Sequence, residues 1–133
     1  MEKKFKVSIE QTHEFTSEDI NDLLCTAFYG NPNFYGGGKK VKGEFVGVSD
    51  EDASKIVDSY EVLTCGGIVI VYLIAEDDDE KERWELTLDM FLKGIARYCL
   101  ENNENLSDLL DNHDACTADS IVQYALFDEI VYG

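Results

Sequence analysis

The spacing of apolar residues divides the chain into short elements. Residues 3–10 set Phe5, Val7 and Ile9 between Lys4, Lys6, Ser8 and Glu10, the alternation of a half-buried strand. Thr16-Ser-Glu-Asp19 has the form of a capping box, with acids in the first turn where the helix dipole favours them. Ile20, Leu23, Leu24, Ala27 and Phe28 then recur at helical spacing, which predicts a helix with one apolar face. Gly30-Asn-Pro-Asn-Phe-Tyr-Gly-Gly-Gly38 ends it, because glycine frees the backbone and proline fixes it.

A strand over 41–48 follows, with Val41, Phe45 and Val48 as its apolar members. Ser49-Asp-Glu-Asp52 repeats the capping pattern and opens a short helix through Ile56 and Val57. Gly66-Gly67 turns the chain into Ile68-Val-Ile-Val-Tyr-Leu-Ile-Ala75, whose β-branched run is the best candidate for a buried strand. A charged hairpin loop, residues 76–82, returns through Arg83, Trp84, Glu85 and Leu86. A further helix from about Thr87 puts Leu88, Phe91, Leu92, Ile95 and Cys99 on one face. Residues 102–114 are polar, with a short turn around Leu106, Leu109 and Leu110, and a last helix from near Thr117 carries Ala118, Ile121, Val122, Ala125 and Leu126. The sum is one α+β domain over residues 1–133: a small antiparallel sheet of three or four strands with about four helices on one face. At 133 residues such a chain buries enough surface for a single core without disulfides.

Charge changes the picture most. The net charge is −17, from 28 acids and 11 bases, well past the magnitude of about 2–8 that solubility asks of a small domain. It is unevenly placed. Residues 1–42 hold six lysines (3, 4, 6, 39, 40, 42) and six acids (2, 10, 14, 18, 19, 22), so the whole excess lies in residues 43–133. Such a field repels nucleic acid and anionic membranes and attracts basic partners. The longest apolar run, 68–75, is too short to span a bilayer, and the basic amino end develops no signal-length apolar stretch. Cys25, Cys65 and Cys99 lie in apolar segments and Cys116 in a polar one, with no CxxC spacing, which predicts reduced thiols and a cytoplasmic setting.

The motifs that carry chemistry are incomplete. Read as a calcium loop from Asp77, the hairpin puts Glu82 and Leu88 where an EF-hand needs its glycine and its bidentate glutamate. His113-Asp-Ala-Cys116 suggests zinc, but His13 is the only other histidine and structural zinc takes four ligands in spaced pairs; a solvated loop histidine is the simpler reading. No GxSxG occurs, and no carboxylate pair sits in an apolar setting that would mark it for acid–base work. The Gly36-Gly37-Gly38-Lys39-Lys40 stretch lacks the spacing of a Walker loop, which ends in Gly-Lys followed by Ser or Thr. No enzyme, metal or cofactor is expected.

Three stretches, Glu14-Phe-Thr-Ser-Glu-Asp-Ile-Asn-Asp-Leu-Leu-Cys-Thr-Ala27, Trp84-Glu-Leu-Thr-Leu-Asp-Met-Phe-Leu-Lys-Gly-Ile95 and Ala118-Asp-Ser-Ile-Val-Gln-Tyr-Ala-Leu-Phe-Asp-Glu-Ile-Val-Tyr-Gly133, resemble a group of small acidic proteins encoded by phages and prophages of gut bacteria. The likeness covers most of the chain and departs at residues 30–38, where that group carries Gly-Gly followed by Tyr-Trp. Its members mostly have no assigned role, so it lends no functional residue. It implies a setting in which small acidic proteins act against host defences, including CRISPR effectors and restriction enzymes.

The expectation is therefore a non-enzymatic, anti-CRISPR-like inhibitor that binds a basic host protein, a nucleic-acid-processing defence nuclease, by imitating nucleic acid. Carboxylates at Asp50, Glu51 and Asp52, at Asp77, Asp78, Asp79, Glu80 and Glu82, and at Asp108, Asp111 and Asp114 would compete for the cations that otherwise bind phosphates. Two alternatives stand beside it. A sponge for an anionic nucleotide signal would use Phe34, Tyr35, Gly36, Gly37, Gly38, Lys39 and Lys40, aromatics and cations beside open backbone N–H groups. A phage structural or assembly part would need the acidity for solubility alone.

Overall fold

The computed structural model describes residues 11–29, 39–45, 47–74 and 80–131. The strand expected at 3–10, the aromatic and glycine positions 34–38 and the hairpin tip 76–79 lie outside these residues.

The α+β expectation is met. Helix α1 (Ser17–Tyr29) is followed by strand β1 (Lys39–Glu44), a short helix α2 (Asp50–Lys55), a 3-10 helix (Ser59–Cys65) and the hairpin of β2 (Ile68–Ile74) and β3 (Glu80–Leu86). Helix α3 (Leu88–Glu101), a 3-10 turn (Leu106–Asp108), α4 (Leu109–Asn112) and α5 (Ala115–Phe127) complete the described chain. The described strands form one antiparallel sheet in the order β1-β2-β3.

Local chemistry sets the helix starts. Thr16 and Asp19 cap α1 reciprocally: the Thr16 N–H donates to Asp19 Oδ2 at 2.9 Å and the Asp19 N–H to Thr16 Oγ1 at 3.1 Å. Ser49, Thr87 and Asp114 cap α2, α3 and α5 through their side-chain oxygens, each satisfying a donor that the first turn leaves unpaired. The last helix thus begins two residues before Thr117, because Asp114 and not Thr117 supplies the cap. The 3-10 helix at 59–65 has no counterpart in the sequence reading; it closes on Gly66, whose φ of 95° only glycine adopts readily.

Strand β2 carries the core. Val69 and Val71 face the helices with Leu86, while Ile70 on the opposite face is also only 2% exposed. A strand buried on both sides reads as an unbroken apolar run, as this one does. Against the first face pack Ile20, Leu23, Leu24 and Ala27 of α1, Val62 and Leu63, Phe91 and Ile95 of α3, Leu109, and Ala118, Ile121 and Val122 of α5. Each fully buried leucine of this set contributes about 1.5–3 kcal/mol relative to exposure.

Helix α5 packs against both α1 and α3, so it buries Asp119 and Gln123 along with its apolar stripe. Gln123 Nε2 donates to Asp119 Oδ2 at 2.9 Å, and its Oε1 accepts from the Val131 N–H at 2.9 Å. At its crossing with α3 the contact is made on Gly94. A β-carbon there would lie 2.6 Å from the Ile121 carbonyl oxygen and 2.9 Å from Ala125 Cβ. Leu92, placed on the core face by its spacing, is 41% exposed instead, because α3 touches its neighbours along Phe91, Gly94, Ile95 and Cys99.

Candidate functional site

The carboxylates singled out in the sequence fall into three places. Asp50, Glu51 and Asp52 occupy the first turn of α2, a helix without a single buried residue. The helix is pinned by its flanks, with Val48 and Ile56 half-buried against the core. Its one cation, Lys55, pairs with Glu51 at 3.3 Å.

The hairpin lies elsewhere. Helix α2 follows Glu44, which pairs with Ile68, whereas β2 and β3 meet their loop at the other end, where Ile74 pairs with Glu80. Six residues of strand, about 20 Å at ~3.3 Å per residue, separate the two ends. Asp77, Asp78 and Asp79 lie outside the described residues. Glu80 and Glu82 are on β3, and the register puts Lys39, Leu73 and Glu82 in one row across the sheet. Lys39 and Lys40 themselves correct an expectation: they belong to β1, paired with Leu73 and Tyr72, and not to an open loop. Phe34, Tyr35, Gly36, Gly37 and Gly38 are outside the described residues.

The third group is joined by a segment the sequence reading passed over. Leu106 and His113 touch α1 and the chain that leads into it. The Leu106 N–H donates to Gln11 Oε1 at 3.0 Å, and His113 Nε2 stands 3.4 Å from Thr26 Oγ1. His113 is consequently not a solvated loop residue; its Nδ1 also meets the Leu110 carbonyl oxygen at 2.9 Å, and it is half-buried. Asn105 and Asn112 brace Asp108 and Glu104 at 3.2 Å each.

Glu14, Glu18 and Asp22 are exposed on α1 and the chain that leads into it, and Asp108, Asp111 and Asp114 are exposed within residues 101–114. No lysine or arginine occurs between Lys6 and Lys39, nor from Tyr98 onward. Two cation-free stretches, remote in sequence, are thus joined at Gln11–Leu106 and at Thr26–His113. Counting charge over residues 1–42 as a block hid the first of them, since its lysines stand only at the two ends; the long lysine-free interval was the available signal.

Few groups here have altered proton affinity. Asp114 is held below the usual carboxylate range, first by the Thr117 N–H it accepts at 2.8 Å, so it stays charged in mildly acid solution. Arg97 is held protonated first by its hydrogen bond to Glu101 at 2.9 Å and then by Asp128. Tyr60 is raised above the usual tyrosine range, chiefly by burial and then by its hydrogen bond with Cys25. Burial likewise pushes the Cys99 thiol up to about 11, away from thiolate chemistry. Cys25 proves exposed although its segment is apolar, because it falls off the Ile20–Leu24–Phe28 stripe.

Among the described residues no three His, Cys, Asp or Glu side chains converge to hold a metal. No described helix is long and apolar enough to cross a membrane. Comparison with protein-family models, with curated proteins and with solved structures gave no match.

Proposed function

We propose that this protein is a non-enzymatic inhibitor of the phage anti-defence type. Its acidic surface occupies the basic nucleic-acid-binding channel of a host defence nuclease, such as a CRISPR effector. The observation that carries this reading is the seam between α1 and residues 101–114, where Glu14, Glu18, Asp22, Asp108, Asp111 and Asp114 are exposed and neither segment supplies a cation. A nuclease channel binds by neutralising phosphates with lysine and arginine, so fixed carboxylates compete for the same groups. A surface charge of one sign also steers association, which makes binding fast and salt-sensitive.

The packing beneath this surface favours it over the α2 acids. α1 and α4 stand on the core through Leu23, Leu24 and Leu109, so presenting carboxylates there costs little ordering on binding.

The test is capture by the tagged full-length chain from a lysate of a defence-proficient bacterium at low salt, followed by release at high salt. A nucleic-acid-processing protein is the expected catch. Neutralising the seam (Glu18→Gln, Asp22→Asn, Asp108→Asn, Asp111→Asn) should weaken its retention at least about tenfold, on the order of 1.4 kcal/mol. Neutralising Asp50, Glu51 and Asp52 should matter less. Capture of only virion proteins, or undiminished capture by the folded seam variant, would overturn the reading.

A further inference from the structure

We infer that residues 128–131 form a strap that opens and closes on α5 while the rest of the fold stays intact. This does not rest on the inhibitor reading and concerns a different part of the molecule.

The strap has a built seat. α5 buries Asp119 and Gln123 almost completely, four residues apart, among positions otherwise filled by Ala118, Ile121 and Val122. A polar side chain in such a place destabilises a fold unless it is hydrogen-bonded. Gln123 Nε2 donates to Asp119 Oδ2 at 2.9 Å, which fixes the nitrogen end of the amide. The oxygen end is then left to accept, and it does so from the Val131 N–H at 2.9 Å. That donor is main chain, so the seat holds the strap by its backbone and not by the Val131 side chain.

The end of α5 delivers the strap to this seat. The helix stops at Phe127, and Asp128 takes a left-handed φ of 59°, which aspartate tolerates better than most residues. The Asp128 N–H still donates to the Tyr124 carbonyl oxygen at 3.0 Å. Past this turn the chain doubles back, and residue 131 meets residue 123.

On its outer side the strap is held weakly. Arg97 Nη1 meets Asp128 Oδ1 at 2.9 Å, but the Asp128 side chain is largely exposed, and an ion pair so open to water adds little. Glu129 is exposed too, and Ile130 and Val131 remain 44% and 49% exposed. Ile121 and Val122 of the helix beneath are buried. A segment that commits so little apolar surface belongs to the least stable part of a fold and opens by itself. Each opening lets water reach the Gln123 carbonyl oxygen, which gives the molecule a second state without unfolding its core.

Native-state amide exchange of the full chain, followed by NMR in dilute urea, tests this. The Val131 amide should be protected at least about tenfold relative to an unstructured one, yet exchange at least about a hundredfold faster than Ile121 and Val122. Its rate should hardly respond to urea, because a local opening exposes little new surface. Val131→Pro deletes the donor at a half-exposed position outside every described helix, whereas Val131→Ala keeps it. The proline variant should speed exchange of the Asp128 amide at least about fivefold over the alanine variant and leave Ile121 and Val122 unchanged. A Val131 amide that exchanges at core rates would make the strap part of the core, and one without protection would show that it is never seated; either overturns the proposal. So would Asp128 exchanging alike in the two variants, or Val131→Pro speeding Ile121 and Val122 as much as Asp128.

Discussion

Helices α2 and α5 begin alike and are held very differently. Ser49 caps the first by accepting from the Asp52 N–H at 3.1 Å, and Asp114 caps the second by accepting from the Thr117 N–H at 2.8 Å. Beyond the cap, α2 buries no residue, while α5 buries Ala118, Asp119, Ile121, Val122 and Gln123 between two neighbouring helices. A cap decides where a helix starts, and burial decides whether it stays. The lesson extends to the acids. Those of α2 ride on a helix secured only by its flanks, whereas those beside α1 and α4 stand on packed leucines.

Three measurements bear on this contrast. The largest effect should come from Leu109→Ala, which removes a fully buried side chain beneath the acidic seam. It should lower stability by about 2–5 kcal/mol, seen as a drop in the urea midpoint, while Val57→Ala near α2 should barely move it. Comparable shifts for the two would erase the distinction.

Smaller, and aimed at the caps, is the pair Thr87→Ala and Ser49→Ala. Thr87 starts the packed helix α3, so its loss should cost about 1 kcal/mol. Loss of Ser49 should fray α2 locally, faster amide exchange at residues 50–55 with little change in global unfolding. A global loss from Ser49→Ala equal to that from Thr87→Ala would show α2 to be part of the cooperative core.

The smallest effect is one of pH. The Asp114 carboxylate binds a proton less readily in the folded chain than in the unfolded one. Its contribution is therefore complete above the ordinary carboxylate range and lost as the pH falls through the lowered folded value. Asp114→Asn should flatten the acid limb of a melting-temperature profile slightly and leave the neutral plateau's slope unaltered. An acid limb identical to the parent's would remove Asp114 from the account.

Much of this fold was legible in the residues. The Thr16–Asp19 box, the β-branched run of β2 and the return through Arg83 to Leu86 each carry a local signal that tertiary structure reinforced. Leu92 was misplaced for a definable reason. Apolar periodicity treats Gly94 as a blank, yet α3 approaches α5 on that glycine, and the buried stripe swings toward it. The 3-10 helix at 59–65 was missed because Ser-Tyr-Glu-Val-Leu-Thr-Cys follows neither period cleanly. At the candidate site, Asp108, Asp111 and Asp114 were legible as acids. Their junction with α1 was not, since it depends on contacts through Gln11, Thr26 and His113 that no local pattern encodes.

The absence of lysine and arginine from Val7 to Gly38 and from Tyr98 onward has a practical consequence for anyone mapping a complex of this protein. Trypsin makes no cut within either stretch, and amine-reactive cross-linkers find no side chain there to modify. A standard cross-linking mass-spectrometry experiment would report contacts from the sheet, from Lys55 of α2 and from α3 and stay silent about the acidic seam. Carboxylate-directed coupling, with cleavage at aspartate or glutamate, is the chemistry that can see it.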